Sequence, residues 1–372
     1  MSGHSTAIGS GPPIAISPDV QSALSDGAHV VFNLSGGKDS GAAAAAVTRY
    51  LNEIGHPKDN RLAIHADLGR AEWQETPELV ERQAAYIRAP LSIVRRRAGD
   101  MVARWEQRFA NGLDRYSTLS TYNLIGPWSS ASLRFCTSEL KAQVIGPHLA
   151  RELRGKTVIQ IVGIRREESA NRAKTPISKS DDRYAKPGNR SGTKMLIWHP
   201  VAEWSTQQVF DFHRSEGLDL HPAYSAGCSR VSCAFCIMQS VKDSEAAASV
   251  VGNHALYRHL VELEAKSSFS FWPGRWLSDV APRLLSPALV TAVERGKSSA
   301  RERIDAEASM PRDLRYTAGW PPRVPTLEEA SRIVAARKKI LARHGREDAY
   351  PTPSAVVDRF ADLVRQRKAK SA

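Results

Sequence analysis

The feature that most constrains this chain is a short apolar run that leads through a glycine loop into an alanine-rich segment. The run covers 30–34 (VVFNL), the loop 35–40 (SGGKDS) and the alanine-rich segment 41–51. Because β-branched residues favour strands and alanine favours helices, this order predicts strand, loop and helix. Glycines let the backbone approach a ligand closely, and N–H groups at the start of a helix bind anions. The sequence therefore predicts a phosphate-binding loop.

The loop departs from the common nucleotide-binding pattern, in which two glycines are separated by four residues and followed by Lys and Ser or Thr. Lys38 supplies a positive charge, and Asp39 is best explained by a Mg²⁺ ion bound together with the nucleotide. We predict Lys38, Asp39 and Ser40 as catalytic residues. The predicted nucleotide-binding residues of the loop are Ser35, Gly36, Gly37, Lys38, Asp39 and Ser40.

Further strands and helices alternate after the loop. Strands are predicted at 61–67, 90–95, 158–163 and 195–201, and helices at 77–87, 205–216, 242–266, 326–344 and 354–370. This alternation is typical of an α/β fold with a doubly wound, mostly parallel sheet. We predict a tail at 1–27, a nucleotide-binding domain at 28–240 and a basic helical C-terminal extension at 241–372. The polar segment 174–192 is predicted to be a loop.

The excess of basic residues indicates which classes of partner this chain could bind. Lys and Arg number 52 against 39 Asp and Glu, for a net charge of +13. Such a surface suits polyanions, so we expect ATP and, through the basic surface, a nucleic acid or ribonucleoprotein partner. A solubilising surface explains the charge equally well. No apolar run is long enough to span a membrane and no signal peptide is evident, so we expect a cytoplasmic protein. A homodimer is one oligomeric state that the sequence leaves open.

The four cysteines form a second candidate site. Cys228, Cys233 and Cys236 lie within nine residues, and Cys136 lies far upstream. Four thiolates are the full ligand set of a [4Fe–4S] cluster or of a structural Zn²⁺ ion. Zinc sites more often use two pairs of closely spaced cysteines, whereas this chain has one, so we predict the iron–sulfur cluster with zinc as the alternative. Unligated thiols are the third possibility.

Several further blocks follow the loop in a definite order. They are Asp67-Leu68-Gly69, Arg134-Phe135-Cys136-Thr137, Gly163-Ile164-Arg165-Arg166-Glu167-Glu168-Ser169 with Arg172, Pro200 with Trp204, and His221-Pro222-Ala223-Tyr224. Together with the loop, this series resembles the phosphoadenosine phosphosulfate (PAPS) reductase family over about residues 28–240. The loop itself resembles that of the N-type ATP pyrophosphatases.

The resemblance implies an adenine nucleotide alpha hydrolase-like fold, with the nucleotide at the carboxyl ends of the strands. Asp67 is then placed near the nucleotide or its Mg²⁺, and Arg165 and Arg172 are candidates for contacts to phosphate or sulfate. An ordinary surface ion pair is an equal alternative for Arg172. The chain departs from the assimilatory reductases of the family in two ways. Its loop is of the ATP type, and no cysteine follows Cys236.

Three functions are compatible with these features. The preferred one is an ATP pyrophosphatase that cleaves ATP to AMP and pyrophosphate; one version adenylates a nucleic acid or sulfur acceptor in a modification or defence system. In its loop and its cysteines the chain resembles the CysH-like proteins that accompany phage, DNA-phosphorothioation and some type IV CRISPR systems. Replacement of the adenylate by sulfur would make it a sulfur transferase. The first alternative is a reductase of PAPS or adenosine phosphosulfate. The second is a non-catalytic module that binds nucleotide and cluster within a defence complex.

Overall fold

The computed structural model describes residues 11–371, which fall into two compact units. The first unit contains the described residues up to Met101 together with Ser132–Asn253. The second contains Val102–Ala131 and the described residues from His254 onward. The structure thus divides the chain differently from the predicted domains at 28–240 and 241–372, because residues 102–131 pack with the C-terminal helices.

The first unit is built on one sheet. Within its described residues the strands are β1 (His29–Asn33), β2 (Arg61–Asp67), β3 (Leu91–Arg95), β4 (Thr157–Ile161), β5 (Ser178–Ser180) and β6 (Lys194–Trp198). Their order across the sheet is β3-β2-β1-β4-β6-β5. All neighbouring pairs are parallel except β5–β6, which is antiparallel at the edge. This confirms the predicted α/β class with a mostly parallel sheet.

Helices complete both units. They are α1 (Pro18–Ser25), α2 (Lys38–Glu53), α3 (Thr76–Tyr86), α4 (Met101–Ser117), α5 (Phe135–Thr137), α6 (Gln143–Glu152), α7 (Ala170–Ala173), α8 (Thr206–Ser215), α9 (Pro222–Ser225), α10 (Val241–Ser249), α11 (His254–Ser267), α12 (Pro287–Ala308), α13 (Leu327–Arg343) and α14 (Pro353–Ser371). A π-helical turn, Ser138–Ala142, joins α5 to α6. None of the described helices is long and apolar enough to cross a membrane.

The core of the first unit explains the alanine run of α2. Residues 42–46 are all buried alanines and belong to the same apolar cluster as Val30 and Phe32 of β1. Side chains this small let the helix lie close to the sheet. The segment before β1 joins the core as well, since the indole N–H groups of Trp198 and Trp204 donate to the carbonyls of Ala15 and Pro13. The described part of the predicted tail is therefore folded and includes α1.

Two other elements differ from the sequence prediction. The segment 174–192, predicted as a loop, contributes the short edge strand β5, which pairs with β6 through three residues. The sequence analysis also assigned no helix to α4 or to the 22-residue α12. Both helices pack in the second unit, where the contacts come from distant parts of the chain.

The second unit is organised around a buried arginine. Arg337 on α13 has no exposed surface. Its guanidinium donates to the Asp348 carboxylate at 2.5 and 3.1 Å and to the carbonyl oxygens of Tyr116 and Ser117 at 2.5 and 2.9 Å. These bonds join the end of α4 to α13 and to the segment after it. A buried guanidinium is tolerated when its donors are paired in this way.

Arg337→Met tests this arrangement. We expect the free energy of unfolding to fall by about 3–5 kcal/mol, because the substitution removes the cation that pairs the Asp348 carboxylate and leaves that carboxylate with only the Tyr350 N–H as a donor. Chemical denaturation of the whole chain measures the loss. The control is Lys338→Met on the exposed side of α13, expected to change stability by about 0.5 kcal/mol or less. Equal effects of the two substitutions would contradict the role given to Arg337.

Candidate nucleotide-binding site

The order of the strands locates the site. β1 lies between β2 and β4, so the chain leaves β1 toward one side of the sheet and later returns on the other side. Ligands in open α/β sheets bind at this kind of reversal, beyond the carboxyl ends of the strands. Here the Ser35–Ser40 loop follows β1, and the segment 162–169 follows β4. The predicted loop thus lies at the position where an α/β sheet binds its ligand.

Glycines allow the two segments to meet. Gly36 has a φ of +71°, a conformation that favours glycine, and Gly37 is the N-cap of α2. A Cβ atom on Gly163 would lie 2.5 Å from the carbonyl carbon and oxygen of Asp39 and 2.6 Å from the Ser40 nitrogen. Any side chain at position 163 would therefore push against the backbone of the loop. The sequence analysis noted Gly163 only as part of a longer block.

Lys38 is buried at the start of α2, with only 3 % of its surface exposed. Its ammonium lies 3.2 Å from an Asp39 carboxylate oxygen. The same ammonium is 5.7 Å from the centre of the Phe210 ring and 5.5 Å from that of Tyr224. Both distances are within the range of cation–π attraction. The site therefore holds a fixed positive charge between one carboxylate and two aromatic rings.

Asp39 connects this lysine to an arginine from the other segment. The Arg165 Nε donates to the second Asp39 oxygen at 2.5 Å, and its Nη1 donates to Glu167 at 2.8 Å. The N–H of Thr206, together with Arg165, holds the pKa of Glu167 below its usual range. Two buried cations, Lys38 and Arg165, thus share one carboxylate. The structure brings together Lys38, Asp39 and Arg165, all predicted as site residues.

Hydrogen bonds from outside the loop fix its backbone. The Lys38 N–H donates to the Tyr224 hydroxyl at 3.0 Å, and His213 Nε2 bonds the Lys38 carbonyl at 2.7 Å. Within the loop, the Ser40 hydroxyl donates to the Gly37 carbonyl at 2.9 Å and lies 3.0 Å from the Ser35 hydroxyl. Both predicted serines thus stabilise the loop in this structure.

The sequence analysis did not assign roles to three of these residues. Tyr224 belongs to the His221–Tyr224 block, so its position in a recognisable series was the available signal. Phe210 and His213 lie one turn apart on α8, and the sequence there shows only an ordinary amphipathic helix. Their proximity to Lys38 depends on how α8 packs against α2, which local sequence does not specify.

His221 holds the next turn against the loop. Its Nδ1 accepts the Ala223 N–H at 3.1 Å, so Nε2 carries the proton and faces the Thr76 hydroxyl at 3.2 Å. The ring also packs edge-on against Trp73. Burial lowers the pKa of His221, against the opposing effect of Glu75 and Glu72. The neutral ring is therefore a structural hydrogen bonder here.

Asp67 and Arg172 have partners of their own. The Asp67 carboxylate accepts the Gly69 N–H at 2.6 Å and the Arg95 Nε at 2.5 Å. Arg172 forms an ion pair with Glu168, four residues earlier. In this structure neither residue forms a hydrogen bond or ion pair with the Ser35–Ser40 loop. Their predicted roles in nucleotide binding stay predictions, and the ion pair is the alternative that the sequence left open for Arg172.

The cysteines separate into two environments. Burial raises the pKa of the Cys233 thiol, and Cys236, Lys141 and Cys136 lie within electrostatic range of it. Lys141 belongs to the π-helical turn that follows Cys136, a feature that often occurs at functional sites. Cys228 instead donates from its thiol to the Asp243 carbonyl at 3.6 Å, and burial raises its pKa to about 11.

The four cysteines are not grouped as one ligand set in this structure. Cys136 and Cys236 lie within electrostatic range of Cys233, whereas the Cys228 thiol donates to a backbone carbonyl. Over residues 11–371, no group of three or more His, Cys, Asp or Glu side chains is arranged to hold a metal ion. The [4Fe–4S] cluster and the Zn²⁺ alternative therefore stay predictions.

Gly163→Ala tests the contact between the two segments. The new methyl group would overlap the Asp39 backbone, so we expect the affinity for an adenine nucleotide to fall about tenfold or more. Isothermal titration calorimetry measures the affinity. In the control, Gly188→Ala, the backbone has a φ of +72° and open space around the new methyl group, so it carries strain without touching the loop. Unchanged nucleotide affinity in Gly163→Ala would show that the contact is unimportant.

The protonation state of His221 gives a second prediction. A histidine whose pKa is lowered on folding contributes stability above its unfolded pKa of about 6.5, and that contribution is lost as the pH falls below this value. We compare the wild type with His221→Gln by chemical denaturation at about pH 8 and about pH 5.5. At the higher pH the wild type should be more stable than His221→Gln. At the lower pH the difference in the free energy of unfolding between the two proteins should be smaller. A difference independent of pH would contradict a neutral, buried His221.

Comparisons with known proteins identify the family of this chain. Residues 29–239 match the family described as the phosphoadenosine phosphosulfate reductase domain. The chain is 27 % identical over 144 residues to an adenosine 5′-phosphosulfate reductase of Rhizobium tropici, covering 39 % of this chain and 71 % of that protein. It is 32 % identical over 114 residues to an uncharacterized 37.8 kDa protein of Escherichia phage 186, covering 30 % of this chain and 32 % of that protein.

The match to the phage protein thus spans about a third of that relative's length. Among solved structures, the phosphate complex of phosphoadenylyl-sulfate (PAPS) reductase from Candida auris aligns with a TM-score of 0.37 at 13 % identity, over 60 % of this chain and 98 % of that one. The family match covers more than half of the residues of this chain. The chain therefore belongs to the phosphoadenosine phosphosulfate reductase family.

Proposed function

We propose that the chain binds an adenine nucleotide with its anionic end over the Ser35–Ser40 loop, and that it breaks the bond between the 5′-phosphate and the group attached to it. The observation that carries the proposal is the pair of buried cations, Lys38 and Arg165, that share the Asp39 carboxylate beside the start of α2. An incoming phosphate or sulfate would meet two cations side by side at the start of α2, and would compete there with Asp39 and, at Arg165, with Glu167.

The better supported substrate is a sulfonucleotide, either adenosine 5′-phosphosulfate or its 3′-phosphorylated form. The family match and the name of the Rhizobium relative both favour it. This reverses the preference from sequence, where the ATP-type loop and the lack of a cysteine after Cys236 favoured cleavage of ATP. We therefore place sulfonucleotide reduction first and the ATP pyrophosphatase second.

Sulfonucleotide reduction proceeds in two balanced steps. The thiolate of one of the four free cysteines, Cys136, Cys228, Cys233 or Cys236, would attack the sulfate sulfur. A sulfur–sulfur bond forms, and the bond from sulfur to the phosphate oxygen breaks to release the nucleoside phosphate. A dithiol reductant such as thioredoxin then attacks the sulfur of the first thiol, releases sulfite and ends as a disulfide, having supplied two electrons. Lys38 and Arg165 would stabilise the negative charge that develops on the departing phosphate.

Cleavage of ATP between its α- and β-phosphates is the second candidate. The specific observation in its favour is that the loop has the complete sequence SGGKDS, and that its Lys38 is the first residue of α2. Here water or an acceptor attacks the α-phosphorus and pyrophosphate leaves, with Mg²⁺ supplying charge stabilisation when bound. Both Asp39 oxygens are engaged by Lys38 and Arg165 in this structure, so Asp39 would have to exchange partners to bind the ion.

A product assay separates these candidates. Purified protein is incubated with adenosine 5′-phosphosulfate, with its 3′-phosphorylated form, and with ATP plus Mg²⁺, each with and without a dithiol. Sulfite that depends on the dithiol identifies the reductase. AMP with pyrophosphate identifies the pyrophosphatase. We expect Lys38→Ala to lower the rate about a hundredfold or more, the effect typical of removing one stabilising charge.

Lys58→Ala is the matched control, because Lys58 is an exposed lysine in a short turn of the same unit. It should retain the wild-type rate. Formation of ADP and phosphate would contradict both candidates, since the bond broken would lie elsewhere. Tight nucleotide binding without any product would favour the non-catalytic module instead.

A further inference from the structure

The helical unit contains a cavity that the loop site does not explain. Its volume is about 360 Å³, within the range of small-molecule sites. The walls come from the end of α12, from the turn at Tyr122 and Asn123, and from the segment 310–315. All of these residues belong to the second unit.

Two arginines on this wall have no counter-ion. Arg312 and Arg315 are both exposed, and in the described part of the chain neither forms an ion pair or a side-chain hydrogen bond. The carboxylate between them in sequence, Asp313, is paired with Arg323 at 2.5 Å. The cavity therefore has two guanidinium groups whose donors are available to a ligand.

The carboxylate that lines the cavity is already engaged. One oxygen of Glu307 accepts the Leu124 N–H at 2.8 Å, and the other lies 3.4 Å from Arg303. These bonds neutralise Glu307 within the protein. The charge left for a ligand is that of Arg312 and Arg315, so the ligand should be an anion.

The rest of the lining is suited to a planar apolar body. Tyr122 and Met310 are buried, and Tyr122 is fixed by a hydrogen bond from its hydroxyl to the Pro311 carbonyl at 2.7 Å. Ile304 is 55 % exposed. The Asn123 amide also lines the cavity and forms no side-chain hydrogen bond with the described residues. A free amide of this kind can bond the edge of a heterocyclic base.

We propose that this cavity binds a nucleotide unit, with its phosphate on Arg312 and Arg315 and its base on the exposed side chain of Ile304, within reach of Asn123. A planar guanidinium group can donate two parallel hydrogen bonds to two oxygens of one phosphate. A phosphate has enough oxygens to accept from both arginines, whereas a single carboxylate has only two. The unit comes either from a free mononucleotide or from a single-stranded nucleic acid, since both present the same phosphate and base. The proposal does not depend on the activity of the Ser35–Ser40 loop.

Two probes distinguish the sources: AMP, and a fluorescently labelled single-stranded oligothymidylate. Affinities are measured by calorimetry for AMP and by fluorescence anisotropy for the oligonucleotide, at low and at moderate salt. The test variant is Arg312→Ala/Arg315→Ala. The matched control is Arg295→Ala/Arg301→Ala, which removes two exposed arginines of α12 that do not line the cavity. Thermal unfolding verifies that both variants fold.

We expect the test variant to bind at least one probe about tenfold more weakly and with a smaller salt dependence, and the control to bind within about twofold of wild type. Loss of AMP binding alone assigns a free nucleotide, and loss of oligonucleotide binding assigns a nucleic acid strand. Photo-crosslinking with 8-azido-AMP, followed by peptide mapping, shows whether the nucleotide binds in this cavity or at the Ser35–Ser40 loop. Labelled peptides should contain Asn123 or Ile304. No binding of either probe, equal losses in test and control variants, or label confined to the Ser35–Ser40 loop would overturn the proposal.

Discussion

The candidate site depends on how closely two backbone segments approach each other beyond β1 and β4. Gly163 lies so near the Asp39 backbone that a Cβ atom would overlap it. That approach lets Arg165 reach Asp39, and Asp39 in turn holds Lys38. The order of the strands makes the meeting possible, because β1 and β4 are neighbours at the point where the sheet reverses direction. The charges, the loop backbone and the sheet topology are therefore parts of one arrangement.

Two buried charged side chains of the helical unit, Arg337 and Glu264, are fully paired. Arg337 binds a carboxylate and two backbone carbonyls. Glu264 accepts three backbone N–H groups, from Phe271, Leu277 and Ser278, while burial raises its pKa to about 7. Each group specifies how distant segments meet, since an unpaired buried charge is costly. Arg312 and Arg315 contrast with these groups, and this contrast is why we assign them to a ligand.

Much of the α/β unit could be predicted from sequence because its signals are local. The run 30–34, the glycines at 36 and 37 and the alanines of 42–46 each favour one backbone conformation, and the structure has β1, the loop and α2 at those places. The edge strand β5 was missed because its polar sequence carries no period-two pattern, and it is a strand only by pairing with β6. Residues 102–131 were not expected to join the C-terminal helices, because that depends on contacts between segments remote in sequence.

The amino-acid sequence specifies which chemical groups are present: a glycine loop between strand and helix, a lysine and aspartate within it, four cysteines and an excess of basic residues. Which of these groups come into contact depends on the packing of the folded chain. Arg165 donates to the Asp39 carboxylate, and Tyr224 and His213 bond the backbone of Lys38. Arg172 instead pairs with Glu168, and the Cys228 thiol donates to the Asp243 carbonyl. The physical reason is that composition and local propensity set the backbone conformation of each segment. Contacts between side chains far apart in the chain depend on how helices and strands pack.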